Sequence, residues 1–314
     1  MTDPVIDPAP LRPDHSPWLW RPQLAAQANK PPKGRARLHE VKFDGYRTVA
    51  IVDRGRARLL TRNGHDWTHR YGDIADRLGG LPCGSAIIDG EIAVADARGV
   101  TRLDLLQRAL VDGVTSALTF HAFDLVRLDG ADLSGQPLTG RKAVLAGLLA
   151  GRPDLAPKIQ LSQTHEDGDA LFAAACAAQM EGIVSKQADA PYVHARSASW
   201  VKVKRRERGD FHVVGFLTNR PGEVSSVVLA EPAAAGLVLS CRAGVGGLGR
   251  RLHDLLSRSE RDTPPIHSSR IRGVRWVAPE WRAQVTYLGR SGRGTPRSPV
   301  VTCVDSVTLA CTAA

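Results

Sequence analysis

Several short apolar segments of this chain contain charged residues. Folding the apolar residues into a core brings these charges with them, which limits the folds that the chain can adopt. The segments cover residues 87–92, 120–125, 181–186 and 200–204. A buried charge costs free energy unless it is paired or put to use. In the last segment, the two-residue period of a strand places Lys202 and Lys204 on one face, with Val201 and Val203 toward the core. We therefore expect strands whose charged residues line a common pocket.

The spacing of apolar residues and turn signals predicts a mixed α+β fold, with antiparallel sheets and flanking helices. The predicted strands cover residues 48–52, 57–61, 86–95, 118–126, 181–186 and 199–204. The predicted helices cover residues 74–78, 103–111, 141–149 and 170–180. We expect Asp89-Gly90-Glu91 to interrupt its strand with a tight turn that presents a carboxylate.

A chain of 314 residues is long enough for two domains. Residues 1–37 are rich in proline and then basic, which indicates an irregular N-terminal arm ahead of a body over residues 38–207. A basic run closed by glycine predicts a hinge near residues 207–210. Beyond it, strands at 211–217, 225–229, 237–243 and 283–288 with a helix at 250–256 favour a small Greek-key barrel, or another small β domain, over residues 208–314.

The formal net charge of +10 and the isoelectric point near 9.8 favour a polyanionic partner, because cations near phosphates displace counterions. A generally basic surface is the alternative explanation. Five scattered cysteines without a C-x-x-C pair indicate neither a disulfide framework nor a zinc site. Neither a secretion signal nor a membrane-spanning segment is recognisable. We therefore expect a cytoplasmic protein that makes no use of a membrane.

The charged segments, together with residues 39–47, predict a nucleotide pocket. Lys42 precedes an Asp-Gly turn, where burial or neighbouring cations would favour the neutral, nucleophilic amine. Glu91 and Glu181 are oxygen ligands suited to Mg²⁺, and Phe123 offers a ring face to a purine. The cations available to neutralise a triphosphate are Lys42, Arg47, Arg62, Lys202 and Lys204. Each residue alone fits an ordinary core, turn or surface position, but their combination favours the pocket.

The order of these segments resembles the ATP-dependent DNA ligases, within the covalent nucleotidyltransferase superfamily that also contains RNA ligases and mRNA capping enzymes. The resemblance covers residues 38–299 and is strongest to the bacterial end-joining type, as a module of a multifunctional repair enzyme or a stand-alone relative. Thr61-Arg62-Asn63-Gly64, Pro191-Tyr192 and Arg196-Ser197 add to it. It implies a nucleotidyltransferase (adenylation) domain over residues 38–207 and an OB-fold β-barrel over residues 208–314.

The resemblance also implies a role for each site residue. Lys42 attacks the α-phosphate of ATP, and the resulting lysyl-AMP passes its AMP to the 5′-phosphate of a DNA nick, which the 3′-hydroxyl then seals. Glu40 lies beside the adenine, Phe123 stacks on it, and Arg47 and Glu91 lie near the ribose. Glu181 helps to hold Mg²⁺ (or Mn²⁺), with Glu91 as a second candidate. The residues implied near the phosphates are Arg62, Lys186, Lys202 and Lys204.

The C-terminal end departs from the family pattern. The last family motif is basic, whereas residues 294–299 match it only in part and residues 300–314 contain neither lysine nor arginine. Either Arg297 serves alone, or self-adenylation is weak and pre-adenylated nicks are the better substrate.

The expected partners are duplex DNA with nicks or ends and a Ku-type end-binding protein, with the chain acting as a monomer. No helical DNA-encircling domain is recognisable ahead of Leu38, so the two domains and the basic arm are expected to hold the duplex. Two other functions stay open. One is an RNA ligase or capping-type guanylyltransferase that shares the lysine chemistry. The other is a nucleic-acid-binding homologue that has lost self-adenylation.

Overall fold

The computed structural model describes residues 21–34, 36–266, 271–291 and 294–306. The chain divides into two compact units, Met1–Arg205 and Arg206–Ala314. The first unit is a mixed α+β structure and the second is dominated by strands.

In the part of the first unit that the structure describes, there are two sheets and four α-helices. The strands are β1 (Leu24–Ala28), β2 (Arg37–Val41), β3 (Tyr46–Asp53), β4 (Arg56–Thr61), β5 (Ser85–Ala93), β6 (Thr119–Leu128), β7 (Ala131–Asp132), β8 (Ile159–Leu161), β9 (Gly182–Gln187) and β10 (Arg196–Lys204). The helices are α1 (Ile74–Gly79), α2 (Leu103–Val111), α3 (Leu138–Ala150) and α4 (Gly168–Ala177). Strands β1-β10-β9-β2 form one sheet, and β4-β3-β5-β6-β7 form the other, with β8 paired to β6.

The helices cover one apolar face of each sheet. Ile74, Leu106 and Leu145 of α1, α2 and α3 join Ile88 of β5 and Phe120 of β6 in the main core. Each such side chain contributes about 1.5–3 kcal/mol when it leaves water. Helix packing on these faces leaves the opposite faces of the two sheets available to build a site.

Helix α4 packs on the smaller sheet and has a defined start. Asp167 precedes its first residue, and the Asp167 carboxylate accepts a hydrogen bond of 2.9 Å from the Ala170 N–H. This cap satisfies one of the backbone donors that every helix start leaves open. Ala175 of α4 packs with Ile183, Val201 and Val203, so the predicted inward direction of the two valines is confirmed.

Two predictions for the first unit are wrong. Residues 24–28 of the predicted irregular arm form β1, which pairs in parallel with β10; residues 1–20 and 35 of the arm lie outside the described residues. Asp89-Gly90-Glu91 does not interrupt its strand, because β5 runs through all three and pairs with both β3 and β6. Gly90 is required there because a Cβ atom would come within 2.4 Å of the Phe120 ring.

The second unit closes its strands into a ring. Its elements are β11 (Glu207–Arg220), β12 (Glu223–Ala233), β13 (Gly236–Gly244), α5 (Gly249–Leu256), β14 (Glu260–Arg261), β15 (Arg275–Tyr287) and β16 (Val300–Ser306). Strands pair in the order β11-β12-β13-β16-β15, and β15 pairs back to β11. Five strands closed in this order, with a helix between the third and fourth, form an OB fold. The predicted α+β fold with an OB-type second unit is confirmed.

Two details of the second unit differ from the sequence prediction. The predicted hinge over residues 207–210 lies inside β11, where Glu207 pairs with Tyr287 and Asp210 with Gln284. Bending there would break ladder hydrogen bonds, and the connection between β10 and β11 is instead Arg205-Arg206. The strand predicted at 283–288 is also not the last, because β16 follows and pairs with β15.

Candidate active site

A cavity of about 520 Å³ lies between the two sheets of the first unit. The smaller sheet contributes residues of β2, β9 and β10, and the larger sheet contributes residues of β3, β4, β5 and β6. The charged and aromatic lining residues are Glu40, Lys42, Phe43, Tyr46, Arg47, Arg62, His65, Trp67, Glu91, Phe123, Lys186, Arg196, Trp200 and Lys202. A volume of this size is typical of a small-molecule site.

Lys42 follows β2 directly and lies at the wall of the cavity. Its Nζ atom is 2.5 Å from Oε2 of Glu181, the residue immediately before β9. The other oxygen of Glu181 is 2.7 Å from Nζ of Lys204 on β10. One carboxylate therefore bridges the two lysines, and Lys42 is held in a fixed position.

The protonation state of Lys42 differs from the expectation. Burial lowers the pKa of Lys42, but the carboxylates of Glu181 and Glu91 outweigh burial and raise the pKa above its ordinary value. Lys42 is thus an ammonium ion in the free protein, and the predicted neutral amine is wrong for this state. The sequence suggested that cations would be the neighbours of the Lys42 amine, whereas the closest partner of this amine is the carboxylate of Glu181.

Glu91 on β5 is the second acid that acts on Lys42, and it lines the cavity. Burial raises its pKa to about 7, although Lys42 and Arg47 act in the opposite direction. His121, which pairs with Glu91 across β5 and β6, stacks on Phe43 with ring centroids 3.9 Å apart. Burial lowers the pKa of His121 to about 4, so Glu91 is the group of this pair that titrates near neutral pH.

Phe123 and Trp200 form an aromatic corner at another part of the cavity, with ring centroids 6.0 Å apart and nearly perpendicular planes. Nζ of Lys186 lies 4.4 Å from the Phe123 centroid and 4.3 Å from that of Trp200. The Arg47 guanidinium carbon lies 4.6 Å from the Phe123 centroid. Among the described residues, the buried indole N–H of Trp200 finds no acceptor.

Glu40 on β2 is buried at the same end of the cavity. Its carboxylate accepts from Lys186 at 2.9 Å, from Lys142 at 2.9 Å and from the Ser162 hydroxyl at 2.8 Å. Burial would raise the pKa of Glu40, but Lys186 and Lys142 together hold the pKa below its ordinary value. Glu40 therefore stays ionised and accepts hydrogen bonds.

The buried carboxylate of Asp89 fixes the side chain of Arg47 on β3. Its guanidinium donates to both oxygens of Asp89, at 2.6 and 2.5 Å, and to the Gln23 carbonyl at 3.2 Å. The Tyr192 hydroxyl donates to Asp89 at 2.6 Å and accepts from the Gln23 N–H at 3.0 Å. Such a bidentate, buried pair orients the guanidinium firmly.

The structure brings the predicted site residues together, although not all of them line the cavity. Those that do are Glu40, Lys42, Arg47, Arg62, Glu91, Phe123, Lys186 and Lys202. Glu181 and Lys204 reach the site through the ion pairs around Lys42. Sequence reasoning missed the contributions of Asp89, Lys142 and Trp200. The buried polar character of Asp89 in an apolar strand was a usable signal, whereas a lysine in a helix such as Lys142 gave none.

Comparison with known proteins identifies the family. The ATP dependent DNA ligase domain model matches residues 22–204. The multifunctional non-homologous end joining protein LigD of Pseudomonas aeruginosa is 32% identical over 301 residues, which cover 90% of this chain and 35% of LigD. The SPbeta prophage-derived DNA ligase-like protein LigB of Bacillus subtilis is 28% identical, over 62% of this chain and 71% of LigB. The chain thus spans about a third of the length of LigD.

Solved structures agree with the sequence matches. Mycobacterial DNA ligase D complexed with ATP and MES superimposes with a TM-score of 0.56 at 27% identity, covering 95% of this chain and 97% of that chain. The ligase domain of LigD from M. tuberculosis gives a TM-score of 0.57 at 26% identity, covering 94% of this chain and 96% of that chain. The chain belongs to the ATP-dependent DNA ligase domain family.

Proposed function

We propose that the chain is a DNA ligase that seals nicks or breaks in duplex DNA with ATP, through a lysyl-AMP intermediate, in end-joining repair. The observation that supports this most strongly is the placement of Lys42. Its amine lies at the wall of a cavity large enough for a nucleotide, paired with Glu181 and under the influence of Glu91, and an aromatic corner forms another part of the same cavity. A reactive amine, acids and a purine platform together suit nucleotidyl transfer.

The first step begins at Lys42. Nζ gives up a proton to solvent, its lone pair attacks the α-phosphorus, and the bond from that phosphorus to the bridging oxygen breaks to release pyrophosphate. A second Nζ proton then leaves to solvent and gives the neutral phosphoramidate nitrogen. A 5′-phosphate oxygen of DNA then displaces the lysine, and finally the 3′-hydroxyl displaces AMP. The adduct divides one difficult joining reaction into transfers of similar chemistry. We assign to Lys202 and Lys204 on β10 the stabilisation of negative charge on the α-phosphate.

The base end of the pocket is assigned to Glu40, Phe123 and Lys186. Phe123 stacks on adenine, and the ionised Glu40 accepts a hydrogen bond from the exocyclic amine of the base. Arg47, oriented by Asp89, reaches the ribose together with Glu91. Arg62 lines the same cavity and is assigned to the nucleotide or the nick phosphate.

Magnesium is assigned to Glu181 and Glu91, with manganese as a possible substitute. Among the described residues, no cluster of three or more His, Cys, Asp or Glu side chains is present. Two carboxylates without a third protein ligand suit Mg²⁺, which commonly keeps waters and takes substrate phosphate oxygens as its other ligands. Such an ion would lower the pKa of Lys42 by compensating the two acids that raise it.

Duplex DNA with nicks or ends is the assigned substrate, and a Ku-type end-binding protein is the assigned partner of a monomeric ligase. The net charge of +10 supports a polyanionic substrate. Among the described residues, no helix is long and apolar enough to span a membrane.

The test is incubation with α-labelled ATP and a divalent metal, followed by addition of nicked duplex. We expect a covalent protein label that survives alkali and is released by acid, as a phosphorus–nitrogen bond requires, and then joined DNA. Parallel reactions with labelled GTP and with nicked RNA separate a ligase from a guanylyltransferase or an RNA ligase. Protein that binds DNA but takes no label from either nucleotide would identify a homologue that has lost the chemistry.

The pKa of Glu91 predicts how magnesium use depends on pH. A pKa near 7 means that the ionised fraction rises from about one tenth at about pH 6 to about nine tenths at about pH 8. Because a metal requires the carboxylate, the apparent affinity for Mg²⁺ in self-adenylation should rise several-fold across this interval and then level off. Titrations of Mg²⁺ at each pH measure this apparent affinity. In Glu91→Gln the affinity should be weaker and independent of pH; an unchanged slope would assign the titration to another group.

The partial C-terminal motif predicts a modest role for Arg297. Its side chain is exposed, and its guanidinium donates to the Leu288 carbonyl at 3.0 Å. We expect Arg297→Ala to slow labelling from ATP about tenfold or more, while sealing of a pre-adenylated nick changes little, since only the first step involves pyrophosphate. Fast labelling that Arg297→Ala leaves untouched would contradict this assignment.

A further inference from the structure

Lys142 on α3 connects three parts of the base end without lining the cavity. Its Nζ atom donates to Oε1 of Glu40 at 2.9 Å, to the Ser162 carbonyl at 3.1 Å and to the Phe123 carbonyl at 3.5 Å. The side chain is buried, and it stands outside the set of described residues that form the cavity wall. A lysine has three donors, and all three of its protons have an acceptor here.

The donors around Glu40 are divided unequally between its two oxygens. Oε2 accepts from Lys186 and from Ser162, whereas among the described residues Oε1 accepts from Lys142 alone. A carboxylate oxygen accepts about two hydrogen bonds. Oε1 therefore keeps one acceptor position on a residue that also lines the cavity, and Lys142 fixes where that position points.

We propose that Lys142 is a positioning residue for base selection: it holds Glu40 so that Oε1 accepts from a 6-amino purine and repels a 6-oxo purine. The inference rests on the proposed function, because it assumes that the cavity binds a purine nucleotide. Lys142 also contacts the backbone of Phe123, so the acceptor and the stacking ring are fixed relative to each other by one ammonium group.

The charge of Lys142 adds to this geometry. Lys186 and Lys142 both lower the pKa of the buried Glu40, so that Glu40 is a pure acceptor. Without Lys142, Oε1 is free to turn and the carboxyl group is easier to protonate, and a protonated carboxyl would donate to a 6-oxo group. Loss of Lys142 should therefore relax base selection more than it reduces overall catalysis, since a site loses discrimination when its buried polar group is no longer fixed.

The experiment compares self-adenylation from labelled ATP with self-nucleotidylation from labelled inosine triphosphate, in which a 6-oxo group replaces the 6-amino group and no 2-amino group is added. The ratio of kcat/KM for the two nucleotides is measured in one sample, so the fraction of folded enzyme cancels. For Lys142→Met we expect this ratio to fall at least about tenfold, mainly through KM for ATP. Lys142→Arg, which retains charge and donors, should restore part of the ratio.

Lys158→Met is the matched control. Like Lys142, Lys158 makes three hydrogen bonds through its ammonium group and does not line the cavity, but all three of its acceptors are backbone carbonyls, those of Thr115, Ser116 and Leu118. The ratio of kcat/KM for ATP to that for inosine triphosphate should be the same in Lys158→Met as in the wild-type protein. A ratio in Lys142→Met equal to wild type overturns the positioning role while leaving the ligase assignment intact. Wild-type protein that takes no label from ATP would instead refute the proposed function itself.

Discussion

Lys42→Arg is expected to lose covalent labelling from ATP by at least about a thousandfold, because the substitution removes the nucleophile of the covalent route. Arginine keeps the positive charge that pairs with Glu181, so the electrostatic surroundings of the site change little. Its guanidinium stays protonated at every usable pH and cannot present a lone pair to phosphorus. The amount of acid-labile AMP on the protein at fixed time measures the loss, and joining of an ordinary nick should fail in parallel.

Lys204→Arg provides the comparison, because Lys204 also pairs with Glu181, at 2.7 Å from its other oxygen. The same substitution on this second lysine retains a charge near the phosphates and should leave labelling easily measurable. Equal loss in both variants would mean that charge placement, and not nucleophilicity, explains the effect. Labelling of Lys42→Arg at the wild-type rate would move the adduct to another residue.

Local sequence signals were enough for much of the fold. The apolar spacing over residues 103–111 predicts helix α2 with the bounds that the structure has, Leu103–Val111. The alternation of lysine and valine on β10 correctly separates its buried and cavity-side faces. Both signals depend on neighbours within a few positions, so the chain itself specifies them.

Features that depend on distant parts of the chain were not predictable. Strand β1 exists through its parallel pairing with β10, which lies about 170 positions away, and nothing in the composition of residues 24–28 requires a strand. The protonation state of Lys42 depends on Glu181, 139 positions away, and the role of Lys142 depends on Glu40, 102 positions away. The spacing of residues in the sequence indicated which residue types the site needs, but it did not indicate which of these residues contact one another in the folded protein.

The largest loss of stability is expected when one partner of a fully buried ion pair is removed. Arg141 on α3 donates to both oxygens of Asp124 on β6, at 2.7 and 2.9 Å, and both side chains are completely buried. The same guanidinium donates to the carbonyls of Gln136 and Ala190. Arg141→Met leaves Asp124 buried without its cation, and burial already raises the pKa of Asp124. We expect the free energy of unfolding to fall by about 3–5 kcal/mol, since one partner of a buried pair is left uncompensated.

Urea unfolding followed by circular dichroism measures the change, with the two units fitted as separate transitions. The double variant Arg141→Met, Asp124→Leu should recover part of the loss, because neither charge of this pair then remains buried, although the carbonyls of Gln136 and Ala190 still lack their donor. Arg77→Met is the exposed control. Arg77 of helix α1 pairs at 2.6 Å with Asp73, the residue before the helix, and its loss should cost no more than about 0.5 kcal/mol. A loss in Arg141→Met as small as in this control would show that the buried pair contributes specificity to the packing of α3 on β6 and little to stability.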